Sequence, residues 1–198
     1  MQASVAAIVL AAGRSSRLGP RNKLLEPVGS QAIVVRVAGT AIASGADPVV
    51  VVTGFEAARV AEALTGLNAV VLHNPAFAEG LSTSLRTGLE ALPPNCDGAL
   101  VLLGDMPKIE IGDLHALIRA FTAREAICVP VHRGKRGNPI LWGAAYFAEM
   151  LRLTGDVGAK PLLSRHEHRV IEVPVASPGI FADVDTPSDL TRLKKTIG

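Results

Sequence analysis

Short, uninterrupted apolar runs alternate along most of the chain with segments in which apolar residues recur every three or four positions. The short runs are rich in Val, Leu and Ala, which is typical of strands that are buried on both faces of a parallel sheet. They predict five strands, at residues 5–10, 48–53, 69–72, 99–103 and 126–131. The helical patterns between them cover residues 31–44, 56–64 and 113–124, and a further helix opens at residues 79–86 and ends before Pro93.

This alternation predicts an α/β fold: a three-layer α/β/α sandwich with a Rossmann-like, mostly parallel sheet. The pattern changes after residue 131, where residues 132–139 predict a hairpin-like excursion and residues 155–160 separate two short helices. A late strand at residues 169–175 and a last helix at residues 188–195 follow. No linker or repeat interrupts the pattern, so residues 1–198 are expected to form a single domain.

The composition narrows the class of protein. Hydrophobic residues make up 48% of the chain and charged residues 19%, a balance that indicates a globular protein. The formal net charge of +2 argues against a surface for nucleic acid. Cys96 and Cys128 match no metal-binding spacing, and without a secretory signal they predict reduced thiols in a cytoplasmic protein. The apolar run at the start is too short to span a bilayer, so no membrane association is expected.

A small-residue turn follows the first predicted strand and leads into a cationic segment. Gly13 permits the close approach of a phosphate to the backbone, and successive amides in such a turn form a concave site for anions. Four cations follow within ten residues: Arg14, Arg17, Arg21 and Lys23. Arg14 and Lys23 are candidates for clamping phosphates, although the spacing alone is also compatible with a solvated basic turn. The segment matches neither the Walker pattern nor the three-glycine dinucleotide fingerprint.

Carboxylates follow the later strands. Asp105 comes directly after the strand at residues 99–103, at the sheet edge where such folds bind ligands, and a hard carboxylate oxygen there suits Mg²⁺. The alternative is that Asp105 only caps a turn. Asp183 and Asp185 share one face if their segment is extended, and either a metal-binding role or support of the last helix fits them. His166 and His168 are interpreted as surface residues, and no serine occupies a nucleophile elbow, so covalent catalysis is not indicated.

Several motifs match together in order and spacing over nearly the whole chain. They are LAAGRSSRLG at residues 10–19, NKLL at 22–25, GDMP at 104–107, GNP at 137–139, GDVGA at 155–159 and DVDTP at 183–187. With these motifs the chain resembles the molybdenum-cofactor nucleotidyltransferases, and within that family most closely the cytidylyltransferases. The first and third motifs are shared by a broad nucleotidyltransferase superfamily, whereas the GNP and GDVGA motifs are specific to this branch.

The resemblance implies a role for individual residues. Arg14, Lys23 and Asp105 would be catalytic, and Asp105 and Asp185 would hold Mg²⁺. The nucleotide-binding residues would be Leu10, Ala11, Ala12, Gly13, Arg14, Arg17, Lys23 and Gly104. The residues facing the second substrate would be Asn138, Gly155, Asp156 and Lys160.

The implied reaction transfers CMP from CTP to the phosphate of molybdenum-molybdopterin and releases pyrophosphate. A transient contact with a molybdoenzyme or its chaperone is a further expectation. Guanylyl-transferring relatives carry Gly-Gly where this chain has Ala12-Gly13, and the methyl of Ala12 would crowd a purine, so a pyrimidine base is predicted. Lys160 stands where Arg is usual, and Lys cannot grip phosphate through two parallel hydrogen bonds. Two alternatives therefore stay open: a related nucleotidyltransferase that uses GTP or another phosphate acceptor, and a non-catalytic cofactor-delivery module.

Overall fold

The computed structural model describes residues 3–14 and 21–197. The strands in this part of the chain are β1 (Val5–Ala11), β2 (Pro27–Val28), β3 (Gln31–Ala32), β4 (Val49–Thr53), β5 (Val70–His73), β6 (Gly98–Leu103), β7 (Ile127–His132), β8 (Lys135–Arg136), β9 (Ile140–Gly143) and β10 (Val170–Pro174). The α-helices are α1 (Ile33–Ala43), α2 (Ala57–Ala63), α3 (Leu81–Glu90), α4 (Ile111–Ala120), α5 (Phe147–Met150), α6 (Lys160–Arg165) and α7 (Pro187–Ile197). Each strand and helix predicted from the pattern has a counterpart, with boundaries that shift by a few residues.

The main sheet is mostly parallel, as predicted. Its strand order is β10-β7-β9-β6-β1-β4-β5, and β8 pairs with β7 beside this path. Strand β1 lies between β4 and β6 and is parallel to both. Strand β9 is antiparallel to its two neighbours, β6 and β7. The predicted excursion after residue 131 is confirmed as the antiparallel pair β7–β8. The insertion of β9 between β6 and β7 was not predicted.

The sheet carries helices on both faces, which confirms the three-layer prediction. Because side chains alternate along a strand, the residues of β1 divide between two cores. Ala7 and Val9 belong to the core that packs against α1 and α4, whereas Ile8 and Leu10 belong to the core that packs against α3 and α6. Every residue of β1 is buried. The first strand therefore lies in the interior of the sheet, and the turn that follows it lies at the carboxyl edge.

The last helix begins at Pro187, one residue before the predicted start. The backbone amide of Asp189 donates to Oγ1 of Thr186 over 3.2 Å, and the amide of Thr186 donates to Oδ2 of Asp189 over 2.9 Å. This reciprocal pair satisfies amides that the helix itself leaves unpaired. It fixes the backbone immediately after Asp185.

Among the described residues, no helix is both long enough and apolar enough to cross a bilayer. Cys96 and Cys128 are free and buried. Cys96 lies just before β6 and Cys128 lies within β7, so each thiol is part of the packed interior. Burial raises the pKa of the Cys128 thiol to about 12, and it also raises the pKa of Cys96.

Candidate active site

The pairing of β1 with β6 brings the first turn and the Gly-Asp turn side by side. The backbone amide of Gly104 donates to the carbonyl oxygen of Leu10 over 2.9 Å, which extends the strand pairing by one residue. A Cβ atom at position 104 would lie 2.9 Å from that same oxygen and 3.3 Å from Cα of Ala11. Glycine is therefore required at position 104 by close backbone approach, and the approach places Asp105 next to the turn after β1.

A short 3₁₀ helix, Lys23–Leu25, presents Lys23 to this edge. Its first turn is fixed by Asn22, whose side chain accepts from the amide of Leu24 over 3.1 Å and donates to the carbonyl of Phe55 over 3.2 Å. The amide of Phe55 in turn donates to the carbonyl of Ala12 over 3.1 Å. Asn22 is buried, so these hydrogen bonds are shielded from water. They tie the turn after β1, the end of β4 and the lysine into one unit.

Lys23 lies between two carboxylates. Its Nζ is 2.6 Å from Oδ2 of Asp105 and 2.9 Å from Oδ1 of Asp185. The lysine side chain is only 12% exposed. Burial lowers the pKa of Lys23, but the two carboxylates more than compensate, and the net pKa is raised. The ammonium is therefore fully charged at neutral pH.

The carboxylate of Asp105 is only partly satisfied. Its Oδ1 atom is buried and has no hydrogen-bond partner within residues 3–14 and 21–197. Burial raises the pKa of Asp105, Lys23 opposes that shift, and the neighbouring charges of Asp183 and Asp185 add to it. The backbone amide of Val184 donates to the carbonyl of Asp105 over 3.0 Å, which holds the acidic segment against the Gly-Asp turn.

These carboxylates fit a divalent cation by their chemistry. Hard oxygen ligands and an excess of negative charge suit Mg²⁺ or Mn²⁺, which take one or two carboxylates together with phosphate oxygens and water. Asp185 contacts Lys23 directly, whereas Asp183 is exposed. Within the described ranges, no group of three or more His, Cys, Asp or Glu side chains is already arranged to hold a metal. A cation would therefore depend on ligands from elsewhere, such as phosphate.

A cavity of about 490 Å³ opens above these residues. Lys23 and Asp105 line it on one side, and Arg14 and Phe77 line it as well. The guanidinium of Arg14 lies 5.4 Å from the centre of the Phe77 ring, within the range of a cation–π contact. Arg14 is exposed at the mouth, so it remains available to an anionic ligand.

One wall of this cavity is the segment 77–84, and Asn74 holds it in place. The side-chain amide of Asn74 donates to Oγ1 of Thr83 over 2.8 Å and to Oγ of Ser84 over 3.0 Å. Its Oδ1 accepts from the amide of Ala76 over 3.0 Å. Asn74 is only 2% exposed, and its own amide donates to the carbonyl of Thr53. Asn74 therefore joins the turn before α3, through its side chain, to the end of β4, through its backbone amide.

A second, smaller cavity of about 200 Å³ adjoins the first, and both are lined by Leu10, Leu81 and Leu103. The remaining lining is mostly apolar, including Leu85, Val101, Ile140 and Trp142. Asn138 and Lys160 supply its polar groups. The second cavity is therefore suited to a flat apolar group that carries a polar or anionic substituent.

Gly155 lines neither cavity and, with Asp156, packs against the start of α3. The carbonyl of Gly155 accepts from the amide of Ser82 over 3.2 Å and from its hydroxyl over 2.8 Å. Oδ1 of Asp156 accepts from the amide of Leu81 over 3.3 Å, at the start of α3. Asp156 lines the larger cavity, on the side of Arg14 and Lys23 rather than that of Asn138 and Lys160. The loop therefore braces α3 as well as bordering the site.

The structure brings most of the predicted residues to one edge of the sheet. The larger cavity is lined by Leu10, Ala12, Gly13, Arg14, Lys23, Asp105 and Asp156. The smaller cavity is lined by Leu10 together with Asn138 and Lys160. Asp185 reaches the site through its contact with Lys23. Ala11 and Gly104 are buried behind it. Arg17 lies outside the described residues. Sequence reasoning missed Asn74, Phe77 and Ser84; the only available signal was the turn at His73-Asn74-Pro75, which does not reveal a buried network.

A doubly wound sheet with a cationic turn after β1 and paired carboxylates at its carboxyl edge fits the class of nucleotidyltransferases. A family model for the MobA-like NTP transferase domain matches residues 7–170, and the chain belongs to that family. It is 27% identical over 189 residues to the molybdenum cofactor cytidylyltransferase of Escherichia coli (strain K12), covering 95% of this chain and 94% of the relative. It is 29% identical to the purine catabolism protein PucB of Bacillus subtilis (strain 168), covering 96% of each chain.

Solved structures agree with this assignment. Rv0371c from Mycobacterium tuberculosis H37Rv superposes with a TM-score of 0.87 at 30% identity, covering 98% of this chain and 100% of that chain. A structure of that protein in complex with manganese gives a TM-score of 0.82. Together the comparisons establish the nucleotidyltransferase fold and family, at identities too low to carry over a particular pair of substrates.

Proposed function

We propose that this chain is a cytoplasmic, single-domain cytidylyltransferase that transfers CMP from CTP to the phosphate of a molybdopterin-type cofactor. The observation that carries the proposal is the contact of Lys23 with Asp105 and Asp185 between the turn after β1 and the acidic segment. A cation flanked by carboxylates at this edge suits a triphosphate bound together with a metal. The Escherichia coli relative, named for this activity, matches over nearly its full length.

The reaction forms a bond between an oxygen of the acceptor phosphate and the α-phosphorus of CTP. The bond from the α-phosphorus to the bridging oxygen breaks, and pyrophosphate leaves. A phosphate acceptor is already ionised, so no general base is needed. The protein's contribution is to align the two substrates and to neutralise charge that develops on the leaving group.

The side chains divide this work. Lys23, once in contact with the phosphates, supplies a point charge to them, and Arg14 at the mouth supplies a planar pair of donors. Asp105 and Asp185 would hold a divalent cation, which when bound would neutralise the triphosphate. The smaller cavity, with Asn138 and Lys160, would take the ring system and phosphate of the acceptor. The shared border at Leu10, Leu81 and Leu103 would bring the two substrates together.

A second candidate is a related enzyme that uses GTP or a different phosphate acceptor. Two observations favour keeping it: Lys160 stands at a position where the resemblance implies Arg, and the Bacillus subtilis relative, similar at 29% identity, is named for purine catabolism instead. A third candidate, a non-catalytic module that delivers molybdenum cofactor to a molybdoenzyme or its chaperone, shares the same binding residues but predicts no turnover.

One experiment separates the three. Pyrophosphate release is measured with CTP, GTP, ATP and UTP in turn, with Mg²⁺ and with purified molybdenum cofactor, a sugar or polyol phosphate, or no acceptor. The proposal predicts release with CTP that requires the cofactor. Release with GTP, or with a sugar or polyol phosphate in place of the cofactor, would instead establish the second candidate. Cofactor binding without pyrophosphate release from any nucleotide would establish the third.

A further inference from the structure

The position between Asp105 and Asp185 is filled by the ammonium of Lys23. Its Nζ is 2.6 Å from one carboxylate and 2.9 Å from the other. These are the two side chains that would hold a divalent cation at this edge. A cation that coordinated Oδ2 of Asp105 and Oδ1 of Asp185 would have to take the place of the ammonium. The two positive charges exclude each other from one site, both by volume and by Coulomb repulsion.

The lysine compensates this acidic group only in part. Asp105, Asp183 and Asp185 lie close enough together for their charges to interact. The Oδ1 atom of Asp105 is buried and has no hydrogen-bond partner in the described part of the chain. A carboxylate with one buried, unpartnered oxygen favours a cation of higher charge than an ammonium, provided that the ammonium can move to another anionic partner.

The surroundings of Lys23 provide that alternative. Its side chain lines the 490 Å³ cavity, and the four-carbon stem lets the ammonium turn without moving the backbone. The backbone itself is held by the hydrogen bonds of Asn22. A triphosphate in the cavity would offer Nζ several anionic oxygens in place of the carboxylates. The lysine would then bind phosphate while the carboxylates became available.

We propose that Lys23 is a displaceable occupant of the divalent-cation site: it neutralises Asp105 and Asp185 in the nucleotide-free protein and gives up that place when phosphates draw its ammonium into the cavity. The inference rests on the proposed function, because it takes a nucleoside triphosphate as the ligand. Its consequence is reciprocal coupling, in which nucleotide raises the affinity for metal and metal raises the affinity for nucleotide by the same factor. Without nucleotide, the site favours the lysine over the metal.

The first test measures Mn²⁺ binding to nucleotide-free protein by electron paramagnetic resonance. Lys23→Met and Lys23→Gln remove the ammonium, and we expect both to lower the Kd of Mn²⁺ by roughly 5- to 150-fold, the usual range for coupled sites. Lys194→Met is the matched control, because it removes a lysine that pairs with Glu26 instead, over 3.0 Å. Adding Asp105→Asn to Lys23→Met should abolish the gain.

The second test uses the wild-type protein, so it holds even if the Lys23 variants fail to fold. In protein labelled with ¹⁵N-lysine, the Nζ resonance of Lys23 should stay in place when Mg²⁺ alone is added and should shift when CTP is added with it. Displacement by Mg²⁺ alone, or equal Mn²⁺ affinity in the wild type and the Lys23 variants, would overturn the inference. Neither result bears on nucleotidyl transfer, which is judged separately by pyrophosphate release.

Discussion

The ammonium of Lys23 lies 2.6 Å from Oδ2 of Asp105, although 82 positions separate the two residues along the chain. The contact exists because β1 and β6 are parallel neighbours, so that the segments following them meet at the same edge of the sheet. It joins the residue expected to bind phosphate to the residue expected to bind metal. Substitutions on either side of the contact therefore report on both roles.

Replacing Lys23 with Ala should reduce turnover by about 10²- to 10³-fold, since it removes a positive charge aimed at the phosphates. The helical circular dichroism signal should be preserved, because Asn22 and not Lys23 holds the backbone. Steady-state pyrophosphate release measures the effect. Lys194→Ala, on the outer face of α7, serves as the control and should leave turnover unchanged. Near-normal activity of Lys23→Ala would remove the lysine from the mechanism.

Replacing Gly104 with Ala should destabilise the protein by about 1–3 kcal/mol, because the new methyl would lie 2.9 Å from the carbonyl of Leu10 and push β1 and β6 apart. Turnover should fall as well, since Asp105 moves with the turn. The matched control is Gly39→Ala in the middle of α1, where a Cβ would meet no heavy atom within 4 Å. That change should stabilise the protein by about 0.5–1 kcal/mol. Denaturant unfolding compares the two, and equal stabilities would contradict the close-approach explanation.

Replacing Asn74 with Ala should raise the KM for nucleotide while changing kcat little, because the residue positions the cavity wall and does not line the cavity. The free energy of unfolding should fall by about 1–3 kcal/mol, since Thr83 and Ser84 lose a buried hydrogen-bond donor. His73→Ala changes the exposed neighbour and should alter neither quantity. An unchanged KM in the Asn74 variant would show that the wall keeps its shape without this network.

Replacing Ala12 with Gly tests the choice of base. Ala12 lines the larger cavity, and its methyl lies close enough to Gly54 that a Cβ there would come within 2.8 Å of it. Removing the methyl should raise kcat/KM for GTP relative to CTP, because more room is left for a purine beside the turn. Turnover of both nucleotides under identical Mg²⁺ is the measurement. If the wild type already prefers GTP, the pyrimidine hypothesis is wrong.

The two thiols should be unreactive in the folded protein. Burial raises the pKa of Cys128 to about 12, so the nucleophilic thiolate is scarce at pH 8, and Cys96 is shifted in the same direction. The raised pKa values also make the free energy of unfolding depend on pH. The stabilising contribution of each protonated thiol is present below its unfolded pKa, near 9, and is lost as the pH rises through the folded pKa. Titration with a disulfide reagent should show two reactive thiols in denaturant and none in native buffer. Rapid reaction in native buffer would contradict this.

The five principal strands and the main helices were predictable because both faces of the sheet are covered. Burial on both faces produces uninterrupted apolar runs such as that of β4, where every residue is buried. The position of Asp105 was predictable for the same reason, since it directly follows such a run. Strand β9 could not be predicted, because its four residues do not indicate which strands they pair with or in which direction.

The residues that support the site could not be predicted from the sequence either. Asn74 reads as a turn residue, and its role depends on partners nine and ten positions later that only the folded helix α3 brings into reach. Phe77 gives no signal at all, because its use as a platform for Arg14 is a matter of placement. Side chains with intrinsic chemistry could be picked out from the sequence, whereas those that hold the cavity in shape could not.

The reversed direction of β9 has a consequence for how such a protein can diversify. Val101 of β6 pairs with Ile140, so the loop that enters β9 reaches the same edge as the loops that leave the parallel strands. Asn138 and Lys160 thus belong to one continuous stretch, residues 132–169, which begins and ends on the neighbouring strands β7 and β10. Because β7 and β10 are parallel, the stretch leaves the sheet at the carboxyl edge after β7 and re-enters it at the opposite edge, where Val170 pairs with Ile127. Such a crossover can change in sequence between relatives while β1 and β6, which position the turn after β1 and Asp105, keep their pairing.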